Sequence, residues 1–123
     1  MKNRKAKILI VDDEAGFTKL TKMTLSDYEI CEENNSAKAL ETARQFRPDL
    51  ILLDVVMPDF DGGDLAAQFR EDPVLKGVPI VFLTAIVTEK ETDKRRLFGG
   101  YPFIAKPVTP ENLIENIERF LPA

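Results

Sequence analysis

The stretch Asp49-Leu50-Ile51-Leu52-Leu53-Asp54-Val55-Val56-Met57-Pro58 sets the architecture of this 123-residue chain. Leu50 to Leu53 are apolar without in-out alternation. Such a run suits a strand covered on both faces, which in a short chain means a parallel sheet between two layers of helices. The run stops at a carboxylate, so Asp54 marks the strand's carboxyl end. Ligands of open parallel sheets gather in the crevice beyond those ends, which places Asp54 for chemistry. An earlier run, Ile8-Leu9-Ile10-Val11, stops at Asp12-Asp13, and the same logic puts these acids on the same edge.

Working outward, apolar runs at residues 8–11, 50–53 and 78–83 alternate with segments whose apolar residues recur every three or four positions. That alternation is the mark of βα units. A first helix is expected to face inward through Phe17, Leu20, Met23 and Thr24 and to end near Asp27. Tyr28 to Glu32 reads as a weaker strand at the sheet's edge. Ser36 is expected to cap a second helix with Ala37, Leu40, Ala43 and Phe46 on its inner face, closed by Arg47-Pro48. Met57 to Gly63 reads as a turn-rich loop, followed by a third helix with Leu65, Ala66 and Phe69 inward, ended by Asp72-Pro73. Val78 to Leu83 is the fourth strand, with Pro79 tolerated at its beginning. Thr88 and Glu91 have the spacing of a capping box for a fourth helix that Gly99-Gly100 ends, although residues 89–96 contain nothing apolar. Tyr101 to Ala105 forms the fifth strand. Thr109 caps and Pro110 opens a fifth helix with Leu113, Ile114, Ile117, Phe120 and Leu121 inward. The predicted fold is a doubly wound α/β sandwich: five parallel strands in the order 2-1-3-4-5 and five helices, in the flavodoxin-like arrangement.

The length predicts a single domain over residues 1–123. No apolar run approaches the roughly 18 residues of a membrane span, and the basic lead Lys2, Arg4, Lys5, Lys7 is followed by only four apolar residues, so a cytoplasmic location without membrane contact is expected. A net charge of -4 argues against sequence-independent nucleic-acid binding. The lone Cys31 cannot form an internal disulfide and reads as a packed thiol. Histidine is absent, which removes histidine-based triads and imidazole zinc sites and leaves oxygen as the ligand for any metal.

Four strand ends carry polar groups: Asp12-Asp13, Asp54, Thr84 and Lys106. If the strands are ordered 2-1-3-4-5, these ends come from four adjacent strands about 4.8 Å apart and can converge on one pocket. Two carboxylates 4 Å apart repel by roughly 1 kcal/mol in water and about 4 kcal/mol at an effective dielectric of 20. Lys106 and a divalent hard cation would offset that, and magnesium suits one or two carboxylates with the remaining positions left to water and phosphate oxygens. An acid cluster with a lysine and a hydroxyl but no histidine therefore reads as phosphoryl transfer.

With these residues in order, the sequence resembles the receiver domain of two-component response regulators along essentially its whole length. The carrying motifs are Asp12-Asp13, Asp54 within Leu52-Leu53-Asp54-Val55-Val56-Met57-Pro58-Asp59-Phe60-Asp61-Gly62, Thr84-Ala85, and Phe103-Ile104-Ala105-Lys106-Pro107. The resemblance implies that Asp54 takes a phosphoryl group from a phosphohistidine on a sensor histidine kinase or phosphotransfer protein, or from a small phosphodonor. It implies a Mg2+ ion, or Mn2+ in its place, held by Asp13, Asp54 and the Val56 backbone carbonyl, with Asp12 acting through water. Thr84 and Lys106 would contact phosphoryl oxygens, and the Lys106-Pro107 bond would be cis. Output would be a shift of the face built by the fourth helix, fifth strand and fifth helix toward a downstream protein, with Thr84 and Phe103 as switch residues. Pro102 stiffens the fifth strand, which points to a smaller switch or one redirected to Tyr101. Val56 and Ile86 offer no group to orient an attacking water, so slow loss of the phosphoryl group is expected.

Each motif also has a plain reading. Asp12-Asp13 alone would be a solvated turn, Thr84 a strand-end hydroxyl, Lys106 a surface lysine, and Phe103 and Tyr101 core aromatics; Lys94-Arg95-Arg96 reads as a solvated helix face. None of these explains the joint placement of acids, hydroxyl and amine. Two other functions compete: a constitutive interaction module on the same fold that does not cycle phosphate, and an aspartate-nucleophile phosphatase. The phosphatase generally wants a second acid where Val56 stands, and the chain is expected to act on itself rather than as an enzyme.

Overall fold

A computed structural model describes residues 5–54, 56–57, 60–84, 97–98, 101–105 and 109–121. Five parallel strands form the body of the sheet: β1 (Lys7–Val11), β2 (Glu29–Glu33), β3 (Leu50–Asp54), β4 (Ile80–Thr84) and β5 (Tyr101–Ala105). Their order is β2-β1-β3-β4-β5, the order expected from the sequence. Around them lie α1 (Ala15–Thr24), α2 (Ala39–Phe46), α3 (Gly62–Glu71) and α4 (Pro110–Phe120).

The register explains the unbroken apolar runs. Ile8, Ile10, Leu50, Leu52, Val81, Leu83 and Ile104 point into one core with Leu25, Leu113 and Ile117. Leu9, Val11, Ile51, Leu53, Ile80 and Phe82 point into the other with Ala39, Ala43, Leu65, Ala66 and Phe69. Successive strand residues face opposite sides of a sheet, so both faces must be covered for Leu50 to Leu53 to be fully buried, as they are. Each such side chain contributes about 1.5–3 kcal/mol by leaving water. The resulting stiffness holds the strand ends in place.

α1 differs from its expected face. Leu20 and Met23 are 64% and 70% exposed, while Thr18 and Thr21 are buried. The threonines can turn inward because their hydroxyls are bonded within the protein: Thr21 Oγ1 donates to the Phe17 carbonyl at 2.8 Å and Thr18 Oγ1 lies 3.1 Å from the Ala15 carbonyl. The helix also stops at Thr24, and Leu25 packs beneath it. β2 runs one residue later than expected, at the sheet edge.

Ser36 does not cap α2: Asn35 caps a 3-10 turn over Ser36–Lys38, its side chain accepting from the Ala37 amide at 2.9 Å, and α2 follows from Lys38 without a side-chain cap of its own. Ala37 is exposed and Ala39 takes the buried place beside Ala43. Arg47 closes the helix in the left-handed region at φ 55°, its amide bonded to the Ala43 carbonyl.

The expected loop Met57–Gly63 overlaps two short strands, Val56–Met57 and Phe60–Asp61, paired antiparallel, and α3 starts directly at Gly62. Leu97–Phe98, expected at the end of a helix, pairs antiparallel with Tyr101–Pro102 and extends the sheet beyond β5. The fourth expected helix, with Thr88 and Glu91, otherwise falls on residues outside those described. α4 follows its predicted pattern: Thr109 Oγ1 accepts from the Asn112 amide at 3.1 Å, and Leu113 and Ile117 are buried. Cys31 is half-buried in β2, and burial, with Glu33 nearby, pushes its thiol above the ordinary value. Among the described residues no helix is long and apolar enough to cross a membrane.

Candidate functional site

β1 and β3 are parallel neighbours, with Val11 opposite Leu53. The acids that follow these two residues therefore emerge side by side at the carboxyl edge. Asp12 and Asp54 are 0% and 6% exposed, and Asp13 is exposed. One carboxylate oxygen from each of the three lies within 4.8 Å of the others. The sequence-predicted acid cluster is thus assembled, with two members taken out of water and one at the mouth.

The Asp12 backbone is tied down on several sides. Its amide donates to the Glu33 carbonyl at 3.1 Å, which carries the β1–β2 ladder one step past β1. Its carboxylate Oδ1 accepts from the Glu14 amide at 3.0 Å, an Asx turn that leads into α1. Its carbonyl accepts from Asn34 Nδ2 at 2.7 Å, and the same nitrogen lies 3.0 Å from Thr18 Oγ1. Thr18 Oγ1 in turn lies 3.0 Å from Glu32 Oε1. Asn34, Thr18 and Glu32 were not singled out from sequence. The signal that could have found Asn34 is its position just past β2, the one strand end left out of the reading that selected Asp12, Asp54, Thr84 and Lys106.

The remaining candidates divide. Asp54 lies opposite Leu83 in β4, so Thr84 is the next residue toward the carboxyl edge, and Thr84 itself pairs with Ala105 in β5. The backbone of Thr84 therefore stands at the edge from which the acids project. Lys106 and its bond to Pro107 follow Ala105 and lie outside the described residues, as does Ile86. Val56 is two residues beyond Asp54, paired with Asp61. Phe103 is half-buried against the core on the α2–α3 face and stands opposite Phe82, while the Tyr101 backbone pairs with Phe98.

Three carboxylates this close repel unless positive charge is supplied; each pair at 4 Å costs roughly 1 kcal/mol in water and about 4 kcal/mol at an effective dielectric of 20. The donor set is all oxygen, with no imidazole or thiolate. It fits a hard divalent cation such as Mg2+ that keeps part of its water shell. The chain is thus of the doubly wound α/β class, whose ligand crevice lies at the carboxyl edge of the sheet, where this acid cluster stands.

Comparison with known proteins narrows the class. Residues 8–118 match the family model of the response regulator receiver domain. The chain belongs to that family. It is 31% identical over 116 residues to the polar-differentiation response regulator DivK of Brucella anthropi, covering 93% of this chain and 94% of that protein. It is 34% identical over 123 residues to the probable transcriptional regulator ycf27 of Pyropia yezoensis, covering 98% of this chain but 49% of that protein. The chain thus spans about half the length of the ycf27 proteins it matches. Among solved structures, the chemotaxis protein CheY4 of Vibrio cholerae superposes with a TM-score of 0.82 at 30% identity, over 95% of this chain and 99% of that one.

Proposed function

We propose that this chain is a phosphorylation-dependent signalling switch, a single receiver unit over residues 1–123 that works in the cytoplasm. The observation that carries the reading is the meeting of the Asp12, Asp13 and Asp54 carboxylates at the carboxyl edge of the sheet, within 4.8 Å, in a member of the receiver family.

In this reading Asp54 is the phosphoacceptor. One of its carboxylate oxygens attacks the phosphorus of a phosphohistidine on a sensor histidine kinase or phosphotransfer protein. A P–O bond forms, the P–N bond breaks, and the nitrogen keeps the electron pair and takes up a proton. Asp13, Asp54 and the Val56 carbonyl would hold Mg2+ or Mn2+, with Asp12 reaching it through water. The cation, when bound, supplies the positive charge that three acids and a phosphoryl group require.

Thr84 and Lys106 donate to phosphoryl oxygens. Because Thr84 and Ala105 are paired, movement of one strand end is transmitted to the other. Phosphorylation adds about -1.5 to -2 charges, which draws Thr84 and Lys106 toward Asp54 and repositions Phe103 and Tyr101. The downstream partner is a protein that reads the face formed by β5, α4 and the segment between β4 and β5. Phosphorylation shifts a population between two forms rather than creating a new one. The chain acts on itself and is not an enzyme with a separate substrate.

The test is a Mg2+-dependent titration with beryllofluoride, a phosphoryl mimic, followed by backbone amide NMR of wild type and Asp54→Asn. The reading expects shifts at Asp54, Thr84 and Phe103 in wild type alone. A wild type that is silent while its fold is intact favours the constitutive interaction module instead.

A further inference from the structure

We propose that Asn34 is a positioning residue for the acid cluster, setting the affinity of that cluster for a divalent cation without touching the cation itself. The inference rests on reading Asp12, Asp13 and Asp54 as the cation site. Asn34 Nδ2 has two protons and two acceptors: the Asp12 carbonyl at 2.7 Å and Thr18 Oγ1 at 3.0 Å. The first bond fixes the peptide plane that joins Asp12 to Asp13. The second anchors Asn34 to a threonine with no exposed surface, 16 residues away in sequence and built into α1. Through the two protons of one nitrogen, the exposed Asn34 therefore joins a buried threonine to the backbone of a buried acid.

The network has a direction. Thr18 Oγ1 lies 3.0 Å from Glu32 Oε1. The one hydroxyl proton has two acceptors in reach, that carboxylate and the Ala15 carbonyl at 3.1 Å, and donation to either makes the oxygen a better acceptor for the Asn34 proton, since neighbouring hydrogen bonds polarise one another. β2, α1 and the β1–α1 turn are thereby joined through one side-chain amide. The turn carries two of the three acids, Asp12 and Asp13, and Asp13 is exposed. A free Asp12–Asp13 peptide would let two like charges separate and relax their repulsion, whereas the Asn34 bond keeps them close. Groups in the second layer around a metal act in this way by orienting its ligands.

Asn35 provides an internal control. It is the adjacent residue and of the same type, yet its side chain caps the Ser36–Lys38 turn through the Ala37 amide at 2.9 Å.

The experiment is calorimetric titration of the full chain with Mg2+, for wild type, Asn34→Ala, Asn34→Gln and Asn35→Ala. Melting in chelator and labelling by acetyl phosphate at saturating Mg2+ are measured in parallel. The expected result is a loss of about tenfold in Mg2+ affinity for Asn34→Ala, substantial recovery in Asn34→Gln, and wild-type affinity in Asn35→Ala. Labelling of Asn34→Ala at saturating Mg2+ is expected to stay close to wild type. Equal affinity in wild type and Asn34→Ala overturns the inference alone, as does a matching loss in Asn35→Ala. A folded wild type that binds no Mg2+ overturns the reading of the acid cluster as well.

Discussion

Asp12 and Asp54 follow and end neighbouring strands, are both buried, and bring carboxylate oxygens within 4.8 Å of each other and of Asp13. The apolar core forces this proximity, because Val11 and Leu53 are paired in the sheet interior. Stability is therefore spent on holding like charges together, and a bound cation is expected to return it. At a Mg2+ concentration about a hundred times Kd, mass action adds roughly 2.7 kcal/mol, or on the order of 10 °C in melting temperature for a domain of this size. In chelator, Asp13→Asn is expected to melt higher than wild type by the equivalent of about 1 kcal/mol, and to lose most of the Mg2+ effect. Scanning calorimetry with Mg2+ and with chelator checks both; an unchanged melting temperature on adding Mg2+ contradicts the account.

A second prediction concerns acid stability away from the site. Burial pushes the Asp72 carboxyl up, but the Val74 amide, the Arg44 guanidinium and the Leu75 amide together outweigh it and hold the group below the usual carboxylate range. Arg44 Nε meets Asp72 Oδ2 at 2.6 Å, and the Val74 amide meets Oδ1 at 2.9 Å. A carboxyl with a depressed value contributes stability that is fully present above its unfolded value, about 3.9 for aspartate, and is lost as the pH falls through the lower folded value. Asp72→Asn is therefore expected to melt below wild type at pH 7, with the gap closing below about pH 4. A gap that stays constant from pH 7 to pH 3 counts against this role.

An exposed residue of α1 and the buried residue that closes it are predicted to differ sharply in their tolerance of substitution. Met23 is 70% exposed and Leu25 is 2% exposed. Met23→Ser is expected to change stability by no more than about 0.5 kcal/mol, and Leu25→Ala to cost about 2–5 kcal/mol. Urea unfolding distinguishes them, and a large loss in Met23→Ser would restore the face predicted from sequence.

The lifetime of the phosphorylated form is expected to depend on Val56. An apolar side chain two residues beyond the acceptor cannot orient a water molecule for attack on the phosphoryl group, whereas Asn or Glu can. Val56→Asn and Val56→Glu are expected to lose the group severalfold faster than wild type. Decay after removal of the phosphodonor measures this directly, and equal rates would dismiss the idea.

Both core layers were legible because Ile8 to Val11, Leu50 to Leu53 and Ile80 to Leu83 are too apolar to face water on either side, whereas the order 2-1-3-4-5 goes with the doubly wound fold class and not with any one run. The acid cluster was legible for the same reason, as Asp12 and Asp54 each end such a run abruptly and Asp13 follows directly. The α1 face was not, because Thr18 and Thr21 look polar until their hydroxyls are seen to be bonded within the protein. Asn34 has only its position just past β2 as a signal in the sequence, and its bond to the Asp12 carbonyl, 22 residues away, shows only in the fold. The two-residue strands at Val56–Met57, Phe60–Asp61 and Leu97–Phe98 are too short to carry a periodicity of their own.

The most direct test of the central claim is intact mass spectrometry, with peptide mapping, of wild type and Asp54→Asn incubated with acetyl phosphate and Mg2+. The account predicts a single added phosphoryl group in wild type, mapped to Asp54, dependent on Mg2+ and absent from the variant. Equal labelling of the variant, or a folded wild type that takes up no phosphoryl group, would contradict it.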